Sequence, residues 1–251
     1  MKTEELFEKR ILDLASQAYS QGRYTFTNFL DLYEQSIFSS LKSQIGGVPY
    51  ETFGGYEGAE RVMLRFGSPK ELGYEQEYPL SLLHIMPRHE KFADQLNHRD
   101  YLGALMNLGI ERSMIGDILV MDEEAYVFVK DQIGPFLMQE WQKVRHTMIQ
   151  IEEVECKEFN YQPDFQELKG FCPSLRIDVM VGFFCRLSRK ESSELIKAQK
   201  VFLNSCLVRS NSQLLKEGDI LSVRGYGKAV FCGVTGQSKK GRYAVSIKKY
   251  R

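Results

Sequence analysis

No run of about 18 apolar residues occurs anywhere in the 251-residue chain, which argues against a membrane-spanning helix. The opening, MKTEELFEKRILDLASQ, alternates charged with apolar side chains and has no continuous apolar core. It does not read as a secretory signal, and a cytoplasmic address is expected. Cysteine is sparse: the five, at 156, 172, 185, 206 and 232, form an odd set without a C-x-x-C pair. In a reducing compartment such residues read as small buried apolar groups, not as disulfides or metal ligands. His84, His89 and His98 lack a partner set for a metal, and neither a P-loop nor a dinucleotide fingerprint is present. No metal and no cofactor is therefore expected. Internal repeats and low-complexity tracts are absent too. With 43% hydrophobic residues the chain is too apolar to stay disordered and long enough for more than one core.

What the chain does have is a lopsided charge. Basic and acidic residues number 33 each, yet residues 174–251 carry 16 Lys/Arg against 5 Asp/Glu, a net of +11. Residues 1–173 hold the remaining 17 basic and 28 acidic groups, a net of −11. A basic module on an acidic body points to a polyanionic partner, and nucleic acid is the commonest. The alternative is that the two halves neutralise each other across an internal interface.

Periodicity divides the chain further. Phe7, Ile11, Leu14 and Ala18, and then Leu30, Tyr33, Ile37 and Leu41, recur at helical spacing, so residues 1–50 read as an N-terminal helical segment. IGGVPYETFGGYEG, with five glycines and a proline, interrupts that regularity. Residues 51–159 read as a central α+β domain of order ββαββαβ, an RRM-like sandwich with helices on one side of a sheet. Its strands are RVMLRF, LSLLHIM, the pair within GDILVMDEEAYVFV, and TMIQIEEVE. HRDYLGALMNLG reads as a helix capped by Asp100 and ended by Gly109, and Ile133, Phe136, Leu137, Trp141 and Val144 read as the apolar face of another. NYQPDFQELKGFCP, residues 160–173, reads as a linker or a connector containing a strand.

In the basic module, Ile177, Met180, Val181 and Phe184 give a short helix with one apolar face, and Ser188 with Glu191 forms a capping box that opens a second helix. Arg189 and Lys190 then fall in a first turn, where the helix dipole opposes them, an arrangement suited to an external phosphate. KVFLNSCLV reads as a hairpin turning at Asn204–Ser205. KEGDILSVRGYGK supplies a turn, a strand with Leu221 and Val223 on one face, and Arg224 on the other.

LRIDVMVGFFCRLSRKESSELIKAQKVFLNSCLV, followed by LKEGDILSVRGYGK, resembles the S4 domain, a small RNA-binding module of two helices and a small antiparallel sheet. GGYEGAERVMLRF and HRDYLGALMNLGIERSMIGDILV resemble the body of the YlmH family of bacterial S4-domain proteins, extending the likeness over nearly the whole chain. One departure is FLDLYEQ, where the family pattern has a proline after the aspartate. The resemblance implies an S4 domain over 174–251 with a basic C-terminal strand. It places phosphate contacts at Arg176, Arg189 and Lys190, and more weakly at Lys197, Lys200 and Asn204. Arg186, Arg224 and Lys228 join them as cations of the same module. It also implies structured RNA (rRNA or tRNA) on the large ribosomal subunit as partner, in translation or ribosome-associated quality control, and a link to cell division.

The remaining motifs read as structural. GGYEGAER reads as a tight turn into a strand, with Arg61 and Arg65 forming an RNA-facing or domain-facing patch. The HRD triplet matches a kinase in letters only. A pseudouridine synthase would need its catalytic aspartate in a G-R-[LT]-D context, usually after the S4 module, and only 23 residues follow Lys228. The expectation is a non-catalytic RNA-binding protein. The rivals are an RNA-modifying enzyme with its site in 51–155 and a septum-associated cell-division protein.

Overall fold

The computed structural model describes residues 2–89, 91, 93–157, 159 and 161–250, with only the backbone of residues 2 and 3. It is a mixed α/β protein built on antiparallel sheets, in two compact units, Met1–Tyr161 and Gln162–Arg251.

The first unit begins with α1 (Lys2–Gln21), β1 (Thr25–Phe26), α2 (Leu32–Leu41), β2 (Tyr50–Phe53) and β3 (Met63–Phe66). Ile11, Leu14 and Ala18 of α1 meet Ile37, Phe38 and Leu41 of α2 over Leu64 and Phe66, the core that the helical spacing anticipates. Despite the missing proline, Asp31 caps α2, accepting from the amides of Tyr33 and Glu34. The strands form a small sheet in the order β1–β3–β2. RVMLRF thus supplies β3 of this sheet and not the first strand of the central one, and a boundary at residue 50 would cut through β2. Alternation identifies a strand, but its sheet is decided by distant partners, here Thr25–Phe66 and Tyr50–Phe66.

After the short helix α3 (Pro69–Leu72), the unit continues with β4 (Leu80–Pro87), α4 (His98–Asn107), β5 (Ile115–Met121), β6 (Glu124–Lys130), α5 (Gly134–Glu140), β7 (Lys143–Val144) and β8 (Thr147–Val154). The strand order β5–β6–β4–β8–β7, all antiparallel, gives β4–α4–β5–β6–α5–β8 the split βαβ arrangement of the ferredoxin-like and RRM-like folds. Leu83, Ile85, Val127 and Val129 face Tyr101, Leu105 and Leu137 of the helices. α4 is capped by Asn97, and Asp100 completes the box by accepting from the Asn97 amide at 3.0 Å, so the cap lies three residues before the expected one. α5 is shorter than the periodicity suggested: Phe136 is exposed and Val144 belongs to β7.

The second unit comprises β9 (Phe165–Cys172), α6 (Ile177–Cys185), α7 (Arg189–Lys197), β10 (Val201–Leu203), β11 (Cys206–Leu207), β12 (Ile220–Val223), β13 (Gly227–Gln237) and β14 (Tyr243–Tyr250). Its sheet runs β11–β10–β12–β13–β14–β9. Of the two readings of residues 160–173, the connector containing a strand is the one that holds. β9 pairs with β14 along its length, from Tyr243–Cys172 to Tyr250–Phe165. Pro163 and Pro173 flank that strand, and Gly170 lies inside it because a Cβ there would collide with the Phe183 ring of α6. The helices cover one sheet face, burying Ile177, Met180, Val181, Phe184 and Ile196 against Val201, Leu221, Phe231, Val245 and Ile247. Asn204 and Ser205, with φ of 50° and 61°, form the tight turn between β10 and β11. Of the cysteines only Cys172 is buried, and Cys206 is exposed, so the expectation of five buried thiols holds in part.

Candidate nucleic-acid interface

The loop before α7 and the helix's first turn hold three of the cations expected in the site, Arg186, Arg189 and Lys190. Ser188 accepts from the Glu191 amide, and Glu191 accepts from the Ser188 amide at 2.8 Å. Two free helix amides are satisfied this way. Arg186 ends α6 in the left-handed region, φ 57° and ψ 46°, and its side chain is exposed. Lys190 and Lys197 are exposed on α7, and Lys200 follows it with its carbonyl accepting from the Arg224 amide at 2.9 Å.

Arg176 and Arg189 are engaged differently from the expectation. Both donate to the carboxylate of Asp178, whose side chain is only 2% exposed: Arg189 Nε at 2.9 Å and Arg176 Nε at 3.2 Å. Burial alone would raise the Asp178 pKa. The hydrogen bonds and charges of Arg189 and Arg176 outweigh that and hold the carboxyl below its ordinary value. The dipole that opposes Arg189 is thus offset from inside the fold, and the outward surface of its side chain, 65% exposed, remains accessible. Asn204 is likewise used internally: it donates to Asp219 and accepts from the Ile220 amide, both at 2.8 Å.

Sequence reading missed a row on the sheet face turned away from the helices. Arg224 lies 5.4 Å from the Phe202 ring centre, Lys228 4.8 Å from Tyr250 and Lys248 5.8 Å from Phe165. Arg224 and Lys228 were expected in the site, but their aromatic partners and Lys248 were not. The available signal was the strand alternation of Phe165, Tyr250 and Lys248, masked because a strand within residues 160–173 had no partner in the sequence.

In the first unit, GGYEGAER folds back on an internal anion. The carboxylate of Asp117 accepts from the amides of Glu60 (2.7 Å) and Arg61 (3.0 Å) and from the Tyr56 hydroxyl (2.8 Å). Arg61 and Arg65 are buried rather than forming a surface patch. Arg61 donates to the carbonyls of Ile115 and Phe29, and Arg65 to Gln76 and to Glu51 at 2.6 Å. The sheet face opposite α4 and α5 is furnished with aromatics: Tyr56 stacks on Phe128 at 5.2 Å, Phe159 meets Tyr126 at 4.8 Å, and His84 lies parallel to Tyr126 at 4.4 Å. Part of the face on which an RRM stacks RNA bases is here filled by the chain's own rings.

Residues 74–158, the span of this sheet, match the family described as "Putative RNA-binding domain in YlmH". The chain is YlmH-like. It is 27% identical over 254 residues to the "Ribosome-associated protein quality control protein P2" of Bacillus subtilis (strain 168), covering 100% of this chain and 96% of that one. In fold it matches the cell division protein ylmH from Streptococcus pneumoniae, with a TM-score of 0.50 and 21% identity over 63% of this chain and 94% of the other. The YlmH match thus attaches an RNA-binding description to the central sheet, a region that charge alone did not mark: residues 74–158 hold 8 Lys/Arg and 16 Asp/Glu.

Proposed function

We propose that residues 162–251 form an S4-type RNA-binding domain and that the chain grips structured RNA (rRNA, tRNA or both) on the large ribosomal subunit, in translation or ribosome-associated quality control. The observation that carries this reading is the set of exposed cations along α7, Arg186 and Lys190 at its start and Lys197 at its last residue, in a unit with 17 Lys/Arg against 7 Asp/Glu. A helix N-terminus with cations beside it receives a phosphate through amides, dipole and side chains together. The Bacillus relative's name supports a ribosomal setting. The central sheet, with its net negative charge, contributes shape and ring contacts more than phosphate neutralisation.

The proposed mechanism is positioning without bond chemistry, in the cytoplasm. Asp100 of the HRD triplet has a structural duty in a helix cap, and Asp117 of β5 holds the amides of Glu60 and Arg61. Burial pushes the thiols of Cys156 and Cys185 up to about 11 and about 12, away from nucleophilic thiolates. Co-sedimentation with separated ribosomal subunits tests the proposal. The native chain is expected to pellet with the large subunit, and the double change Lys190→Gln, Lys197→Gln to weaken pelleting about tenfold. Equal pelleting of both would overturn it. A mass change in RNA nucleosides after incubation with the chain would favour a modifying enzyme instead.

A further inference from the structure

The six-stranded sheet of the second unit has one face under α6 and α7 and one face that carries charge. Strand alternation puts Lys228, Lys248, Tyr250, Phe165 and Phe171 opposite the side that presents Leu221, Ala229, Ile247 and Leu168 to the core. A bland account would have polar side chains lying over these rings only to shield them. Shielding, however, has no need of one sign. Glu167 is the only acid on β9, β12, β13 and β14; it binds Lys169 at 3.0 Å and lies opposite Lys248 across the β9–β14 pair, so one acid meets three lysines, Lys169, Lys228 and Lys248, on this face. Two further features point outward. Phe171 is 57% exposed and makes no ring contact among the described residues. The turn between β13 and β14 places Lys239, Lys240 and Arg242, all exposed, within four residues.

We infer that this outer face is a second RNA surface, separated from the α7 surface by the sheet itself, so that the unit holds two RNA segments at once. The inference rests on the S4-type reading and extends it. Lysines spaced across neighbouring strands neutralise a backbone, while the exposed Phe171 offers a stacking surface to unpaired bases. The favoured ligand is therefore single-stranded or looped RNA, whereas the α7 surface suits a phosphate backbone of any secondary structure.

Titration of the full chain with a single-stranded RNA of about eight nucleotides, within the usual site size of such platforms, separates the two surfaces. Two equivalents are expected to bind the native chain. Lys228→Gln with Lys248→Gln should leave one, Lys190→Gln with Lys197→Gln should leave one, and all four changes should leave none. Thermal unfolding confirms that each variant is folded. If the lysine pair on the sheet unfolds the unit, Phe171→Ala, at an exposed site, replaces it and should weaken one of the two equivalents at least fivefold.

A single equivalent lost only through the α7 pair would overturn the second surface and leave the S4-type reading standing. No RNA binding by the native chain would overturn both. Vesicles of phosphatidylcholine with phosphatidylserine provide the last arm. If the sheet changes abolish vesicle binding while RNA stoichiometry stays at two, the face serves anionic lipid and the inference fails.

Discussion

Asp178 is the residue on which the basic unit most depends. Its buried carboxylate accepts from both arginines, so a change at the acid removes two charge-assisted contacts where a change at either base removes one. Asp178→Asn should destabilise the second unit by about 2–4 kcal/mol, whereas Arg189→Ala should cost only about 1 kcal/mol because Arg176 remains. Chemical denaturation of each variant checks the ranking, and equal losses would show that Arg189 alone carries the pair. The pH dependence follows from the sign of the shift. A carboxyl held below its unfolded value stabilises the fold fully above about pH 4 and loses that contribution as the pH falls further. The acid limb of a stability profile should flatten in Asp178→Asn. Gly55 is a second sensitive position, with φ +101° and no room for a Cβ beside the Phe128 ring. Gly55→Ala should lower the melting temperature of the first unit by more than about 5 °C.

At the scale of elements, local chemistry was legible and pairing was not. The Ser188–Glu191 box, the Asn204–Ser205 turn and the apolar faces of α1 and α6 could be read from spacing because each depends on residues a few positions apart. β3 was misplaced, and a strand within residues 160–173 had no partner in view, because the partners lie tens of residues away: β9 finds β14 across some 70 residues of chain. The same limit applies to Arg176 and Arg189. Asp178 was in view, but its burial, which turns two expected phosphate ligands into its counter-ions, depends on how α6 packs. The pairing of β9 makes a measurable claim. A fragment beginning at residue 174 loses the burial of Leu168 and Cys172 and leaves β14 as an open edge, which should cost about 3 kcal/mol or more. Its melting temperature should lie more than about 10 °C below that of a fragment beginning at residue 162. Matching temperatures would show β9 to be dispensable.

Over the whole molecule, the charge split read from the sequence nearly coincides with the division of the fold: residues 1–161 carry 16 basic and 26 acidic groups, and residues 162–251 carry 17 and 7. That coincidence is what the RNA-binding account explains and what an internal neutralisation account explains equally well from composition alone. Salt distinguishes them. If the basic unit holds RNA through about five phosphates, the logarithm of its affinity should fall against log salt with a slope of about −3.5 to −4.5. The fragment 162–251 should keep that slope and bind at least as tightly as the full chain. A near-zero slope in the full chain, with a steep one only after the acidic unit is removed, would contradict the account and show that the two charges are spent on each other.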